Sequence, residues 1–199
     1  RSNHDLVEQY VSHITSTIDI DLDGITLVVD CANGAASIVG PEIYRRLGAH
    51  VIAIHCEPTG YNINENCGST HMEDLVQAVV AHKADLGIAH DGDADRCLAV
   101  SETGELVDGD QILAILATSR KARGELASNT VVATVMSNLG FTLAMQEAEI
   151  EIIATAVGDR YVLDAMREKQ LNLGGEQSGH VILADHATTG DGILTAVQV

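Results

Sequence analysis

The sequence has no tryptophan and only 3% aromatic residues, so its core must be built from Ala, Val, Ile and Leu. No apolar run approaches the ~18 residues that a membrane span needs, which excludes a membrane partner of that kind. Basic residues are few: 11 Lys and Arg stand against 29 Asp and Glu, a formal charge of −18. A surface of that sign repels nucleic-acid phosphates and anionic lipid, so no nucleic acid and no membrane are expected as partners. A phosphorylated small molecule stays compatible, provided that a metal or local arginines offset the field. The four cysteines, Cys31, Cys56, Cys67 and Cys97, form no CxxC pair and no dense framework. They read as reduced thiols of a cytoplasmic protein, packed in core or loops. The residues from Arg1 carry no signal-peptide pattern. At 199 residues and 46% hydrophobic content the chain is globular, with room for one or two domains. It starts without Met and stops at Val199 inside the amphipathic run DGILTAVQV, so a fragment of a longer chain is expected.

Helical and strand patterns alternate throughout. Leu6, Val7, Tyr10, Val11 and Ile14 line one face of an opening helix. ITLVVD, ending at Asp30, is a buried strand, followed by the loop CANGAAS and a helix from about Ser37, with Pro41 in its first turn and Gly48 at its end. AHVIAIH is a strand. A long loop from Glu57 to Ser69 leads to a helix opened by a Thr70/Glu73 capping box. ADLGIAH and CLAVSE are strands separated only by DGDADR. After the Thr103-Gly104 turn a second series begins: a helix to Arg123, the strand NTVVATVM, a helix from Asn138, the strand EIIATA, a helix from Arg160, the short strands LNLGG and HVILADH, and a last helix. This order predicts an α/β fold of two consecutive αβ domains, 1–107 and 108–199, with mixed, mainly parallel sheets flanked by helices.

The sharpest chemical signal is Asp91-Gly92-Asp93-Ala94-Asp95-Arg96. Three carboxylates at alternate positions repel one another, and Gly92 and Ala94 are small enough for the loop to curl. A divalent cation relieves the repulsion, and oxygen-only ligands suit Mg²⁺ or Ca²⁺ rather than zinc. An EF-hand loop fits the first three aspartates and Glu102, but it requires glycine where Arg96 stands and helices where strands are predicted. The second signal is Gly175-Glu176-Gln177-Ser178-Gly179-His180. Glycines near both ends allow a tight, exposed loop, and Glu176 and Ser178 offer groups suited to sugar hydroxyls. In a third segment, TAVGDRYVLDAM, Gly158, Asp159 and Arg160 lie at a strand end entering a helix, where backbone amides favour anions.

DGDADR resembles the metal loop of the α-D-phosphohexomutases, usually written DGDGDR. The resemblance implies that Asp91, Asp93 and Asp95 hold Mg²⁺ and that Arg96 orients a phosphoserine. Ala94 replaces a glycine, which matters only if that residue needs positive φ. GEQSGH resembles the sugar-specificity loop of the same family, which implies substrate contacts from Glu176, Ser178 and His180. The Gln177 form is similar to that of the phosphoglucosamine mutases, whereas phosphomannomutases more often carry Met there. GYNINENCGSTHMEDL and the Gly158-Asp159-Arg160 turn also match, and the family's turn approaches the sugar.

The resemblance covers the family's second domain and most of its third. It implies that the first domain, with the phosphoserine nucleophile, and the fourth, with an arginine-containing phosphate loop, are missing partners of this chain. Ser178 is therefore not the nucleophile, and the isolated chain is expected to be inactive. The implied activity of the whole protein is a phosphosugar isomerisation, glucosamine 6-phosphate to glucosamine 1-phosphate, by phosphoserine-mediated phosphoryl transfer. The family's route implies a bacterial, cytoplasmic source and a supply of UDP-N-acetylglucosamine for the cell wall. The alternatives are a phosphomannomutase/phosphoglucomutase or, for the isolated chain, a non-catalytic module that binds Mg²⁺ and sugar phosphate. The remaining histidines, His90 and His55 among them, show no metal-ligand spacing, and His90 only abuts the acidic loop.

Overall fold

Val28 and Val29 centre one strand and Val131 and Val132 another, and all four are fully buried. β-Branched residues covered on both faces suit the middle of a parallel sheet. In a computed structural model, which describes residues 3–199 and side chains from Asp5 onward, these strands organise two sheets. Arg1 and the side chain of His4 lie outside the described residues.

The first half runs α1 (Asn3–Thr15), β1 (Thr26–Asp30), α2 (Ala36–Arg46), β2 (His50–Ile54), α3 (Glu73–His82), β3 (Leu86–Ala89), β4 (Leu98–Ser101) and β5 (Leu106–Val107). The second runs α4 (Gly109–Arg123), β6 (Thr130–Thr134), α5 (Leu139–Glu147), β7 (Glu151–Thr155), α6 (Asp159–Lys169), β8 (Leu173–Gly175), β9 (Val181–Leu183) and α7 (Gly192–Gln198). The sheet orders are β2-β1-β3-β4-β5 and β7-β6-β8-β9. β1 pairs in parallel with β2 and β3, and β6 with β7 and β8. The β3–β4, β4–β5 and β8–β9 pairs are antiparallel. The expected α/β class with mixed sheets is what the chain forms. The two halves repeat one strand order although their sequences show no obvious repeat.

One apolar layer is common to both halves. Val11, Ile14 and Ile43 belong to the same buried cluster as Ile112, Leu113, Leu173 and Ile193. The opposite faces have their own clusters. Leu75 and Val79 of α3 pack with Val28 and Val100 of the first sheet. Val162 and Met166 of α6 pack with Val132 and Ile182 of the second. Burying one such side chain is worth about 1.5–3 kcal/mol, so the shared layer binds the halves together.

Several local expectations are corrected. Thr70 lies in a 3₁₀ turn, and α3 starts after Met72 with no side-chain cap. The capping box is instead at α4, where Asp108 accepts from the Gln111 amide and the Gln111 side chain accepts from the Asp108 amide. Pro41 sits in the second turn of α2, not the first, so the Ser37 carbonyl loses its usual i+4 donor. The residues after Thr103-Gly104 form β5, which closes a hairpin on β4 before α4 begins. The GEQSGH loop is not an exposed turn: among residues 175–180 only Ser178 is exposed, because the loop is wedged between the halves.

The carboxyl ends of β1, β2 and β3 carry loops 31–35, 55–69 and 90–97. Those of β6, β7 and β8 carry 135–138, 156–158 and 176–180. Open α/β sheets bind ligands at such ends, where loops from neighbouring strands converge.

Candidate functional site

The acidic loop leaves β3 and re-enters the sheet as β4, so the helices an EF-hand needs are absent here. Carboxylate oxygens of Asp91, Asp93 and Asp95 lie within 4.8 Å of one another. Burial, then the charges of Asp95 and Asp93, push the Asp91 carboxyl up to about 6, against a lowering by Arg96. Arg96 Nε lies 3.5 Å from Asp91 Oδ2 and 3.7 Å from Asp95 Oδ1. Arg96 Nε and Asp95 Oδ1 are both buried and neither has a hydrogen bond. Ala94 has φ +61°, so the methyl group stands where the left-handed region favours glycine, at a cost of about 1–2 kcal/mol.

Both halves hold this loop. From the first half, the Ala35 amide donates to Gly92 O at 2.9 Å and the Ser69 amide to His90 O at 2.9 Å. From the second, the Gly192 amide donates to Ala94 O at 2.8 Å, and Gly179 O accepts from the Cys97 amide at 3.0 Å. Arg96 and His180 form an antiparallel β-bridge. His90 is fully buried, with Nδ1 3.0 Å from Arg96 O and Nε2 2.9 Å from Tyr44 Oη. A carbonyl only accepts, so Nδ1 carries the proton and Nε2 accepts from the tyrosine hydroxyl. Burial lowers the His90 pKa, which keeps the ring neutral in this role.

The GEQSGH loop is closed by the Gly179 amide donating to Glu176 O and the Glu176 amide to His180 O. The Gly109 amide, at the start of α4, donates to Gln177 O at 3.1 Å. Glu176 Oε1 accepts from the Gly158 amide at 3.0 Å, which ties the loop to the start of α6. The second Glu176 oxygen and the Ser178 hydroxyl carry no hydrogen bond among the described residues. His180 is 4% exposed, with Nδ1 3.1 Å from Asp95 Oδ2 and Nε2 unpartnered.

A cleft of about 540 Å³ opens between these pieces. Asp95 and Arg96 line it together with Gly158, Asp159, Glu176, Ser178 and His180. Arg160 is not among the lining residues: its side chain is 85% exposed and lies 3.7 Å from Asp164 on α6. Thr134, Met136, Val157 and Gln177 complete the lining. The first three of these carry no signal in the sequence, since they are simply where β6 and β7 end.

The model of phosphoglucomutase/phosphomannomutase α/β/α domain II matches residues 8–104, and that of domain III matches 108–199. The chain belongs to the phosphoglucomutase/phosphomannomutase family. It is 60% identical over 195 residues to a phosphoglucosamine mutase of Corynebacterium jeikeium, covering 98% of this chain and 44% of that protein. It is 58% identical over 199 residues to that of Rhodococcus jostii, covering 100% and 45%. The chain thus spans less than half the length of these curated relatives. A phosphoglucomutase/phosphomannomutase family protein of Burkholderia thailandensis superposes with TM-score 0.86 at 26% identity, over 97% of this chain and 42% of that one. The Aspergillus fumigatus N-acetylphosphoglucosamine mutase in complex with GlcNAc-6P and magnesium superposes with TM-score 0.66 at 19% identity, over 95% and 48%. At that identity the likeness concerns the fold alone.

Two glycines outside the sequence-predicted residues also shape this cleft. One is Gly109, where a side chain would meet the backbone of Glu176, Gln177 and Gly179. The other is Gly192, where it would meet Arg96 and His90. Both follow an aspartate that caps a helix, Asp108 and Asp191, so the Asp-Gly pairs at these helix starts were the available signal.

Proposed function

We propose that this chain is the metal-loop unit, 1–107, and the sugar-loop unit, 108–199, of a cytoplasmic phosphoglucosamine mutase that interconverts glucosamine 6-phosphate and glucosamine 1-phosphate. The observation that carries the proposal is the single cleft in which the acidic loop and the Glu176–Ser178 loop face each other, joined by the Arg96–His180 bridge. Bacterial phosphoglucosamine mutases at about 60% identity support the choice of sugar.

The acidic loop fits Mg²⁺. Its donors are all carboxylate oxygens, Asp95 Oδ1 is buried without a partner, and burial together with the charges of Asp95 and Asp93 pushes the Asp91 carboxyl up to about 6, a strain that a bound cation relieves. Asp91, Asp93 and Asp95 would hold the ion, which supplies positive charge to stabilise a phosphoryl group in transfer. The chain's own residues have separate tasks. Arg96, whose carbonyl accepts from His90 Nδ1 and whose Nε lies near Asp91 and Asp95 without a hydrogen bond, would present its guanidinium to phosphate oxygens. Glu176 anchors the α6 turn through Gly158 and keeps one oxygen for a sugar hydroxyl, and Ser178 offers a second contact. Gly158 and Asp159 shape the cleft wall at the start of α6. His180, buried against Asp95, links the sugar loop to the acidic loop rather than reaching into solvent. Arg160 would reach substrate only by leaving Asp164. The nucleophile belongs to a part of the longer protein outside this chain, so the 199-residue chain alone has no turnover.

Two experiments test the reading. In the full-length protein, Glu176→Ala removes a charged acceptor worth about 1.5–3 kcal/mol, so kcat/KM for glucosamine 6-phosphate falls about ten- to hundredfold. An unchanged value, or a preference for mannose or glucose phosphates in the unaltered enzyme, defeats the proposed sugar. In the 199-residue chain, calorimetric titration shows weak Mg²⁺ binding that Asp93→Asn weakens further. Equal binding by both shows that the carboxylates are not the ligands.

A further inference from the structure

A second group of metal-ligating side chains lies behind the acidic loop, where the sequence spacing gives no hint of it. Asp30 ends β1, His55 follows β2, and Cys67 precedes the 3₁₀ turn before α3. A carboxylate oxygen, an imidazole nitrogen and the thiol sulfur of these three lie within 4.8 Å of one another. Asp30 and Cys67 are fully buried, and the His55 side chain is 25% exposed, facing a shallow cleft shared with Asp74 and Gln77. Among the described residues no Lys or Arg pairs with Asp30. Its partners are the Ala32 and Gly68 amides and His55 Nδ1, each at 2.9 Å. Buried charges are paired or coordinate metals, and the one titratable side chain paired with Asp30 among the described residues is His55, itself a metal-ligating group.

Each of the three groups is also braced from behind, as metal ligands are. The two amides fix the Asp30 carboxylate. Asp74 Oδ2 lies 3.3 Å from His55 Nε2, on the far side of the ring from Asp30. Asn33 Nδ2 lies 3.8 Å from Cys67 Sγ. The set of one carboxylate, one imidazole and one thiol differs in kind from the all-oxygen acidic loop.

We propose that Asp30, His55 and Cys67 form a second cation site, for a borderline-soft divalent ion of the Zn²⁺ class. Three protein donors and a water complete a four-coordinate shell. His55 binds through Nδ1, and its remaining proton sits on Nε2, donated to Asp74. Cys67 binds as thiolate. Burial and the nearby Asp30 charge raise the Cys67 pKa in the metal-free protein, so uptake of the ion releases the thiol proton to solvent. Metal–ligand bonds of about 2.0–2.3 Å require His55 to back away from Asp30 by a few tenths of an ångström, toward Asp74, whose oxygen is 3.3 Å from Nε2. The bound ion ties β1, β2 and the loop before α3 together. Those same segments supply the Ala35 and Ser69 amides that hold the acidic loop.

Titration of the 199-residue chain with Co²⁺ tests the site. The expected result is a near-ultraviolet sulfur-to-cobalt band with intense visible bands of four-coordinate Co²⁺, saturating at one ion per chain and displaced by one equivalent of Zn²⁺. Cys67→Ser abolishes the near-ultraviolet band, His55→Gln weakens binding at least tenfold, and Asp93→Asn leaves it unchanged. A titration without a thiolate band, or a band that survives Cys67→Ser, overturns the assignment. X-ray absorption on the unaltered Zn²⁺-loaded chain does not depend on the variants folding. One sulfur neighbour at about 2.3 Å is expected, and a shell of oxygen and nitrogen alone refutes the site.

Discussion

Gly34→Ala tests whether the acidic loop is clamped by backbone contact. Gly34 does not have positive φ, so alanine meets no conformational penalty there. The obstacle is space. A Cβ at Gly34 would lie 2.8 Å from both the carbonyl carbon and Cα of Gly92, and nearer still to its oxygen. These are backbone atoms of the residue between Asp91 and Asp93, and no side-chain rotation relieves the contact. Overpacking of this kind costs about 1–3 kcal/mol, and a rigid neighbour places the value at about 2–3. Gly92 must also shift by a few tenths of an ångström. Mg²⁺ needs near-octahedral oxygens at about 2.0–2.1 Å, so Mg²⁺ affinity falls about tenfold. Gly192→Ala applies the same pressure from the second half, with its Cβ 2.6 Å from the Arg96 carbonyl carbon and 2.9 Å from His90 Nδ1. Gly40→Ala is the control. It sits inside α2, its nearest neighbour would be at 3.6 Å, and it gains about 0.5–1 kcal/mol from helix propensity. Urea denaturation followed by circular dichroism and calorimetric Mg²⁺ titration read both effects. Gly34→Ala with an unchanged midpoint and unchanged Mg²⁺ affinity would refute the clamp.

Two further outcomes follow from the same geometry. Asp91 is held at about 6 in the metal-free fold, above the ordinary 3.8. Stability from its retained proton is present below about pH 4 and lost as the pH rises through 6. Over the same window Mg²⁺ affinity rises as the proton stops competing, then levels off above about pH 7, which titrations from pH 5 to 8 check; a flat profile contradicts the coupling. Tyr44→Phe leaves buried His90 Nε2 without its donor, at a cost of about 1–3 kcal/mol in urea melts, with nitrogen NMR shifts of His90 reporting the loss of a single tautomer.

The alternation of Val- and Ile-rich strands with amphipathic helices determined the α/β class, because hydrophobic period is a local property that burial then obeys. The acidic loop was equally legible. Three aspartates spaced by small residues in one short loop between two strands are confined to a small volume despite their repulsion, and the structure gathers their oxygens within 4.8 Å. Helix starts were less legible. Thr70 and Glu73 have the spacing of a capping box, but the backbone at Thr70 is committed to a 3₁₀ turn, while Asp108 and Gln111 form the box instead. Only the tertiary structure decided which loops meet. His180 lies 85 residues from Asp95 and contacts it because the β8–β9 turn docks on the start of β4. Asp30, His55 and Cys67 converge because β1 and β2 are parallel neighbours whose ends open on the same side. Arg160, placed beside Asp159 by the chain, turns with α6 toward Asp164 and leaves the cleft wall. Period, charge and glycine are written along the chain, whereas contacts between distant segments depend on strand order and on the apolar layer that the two halves share.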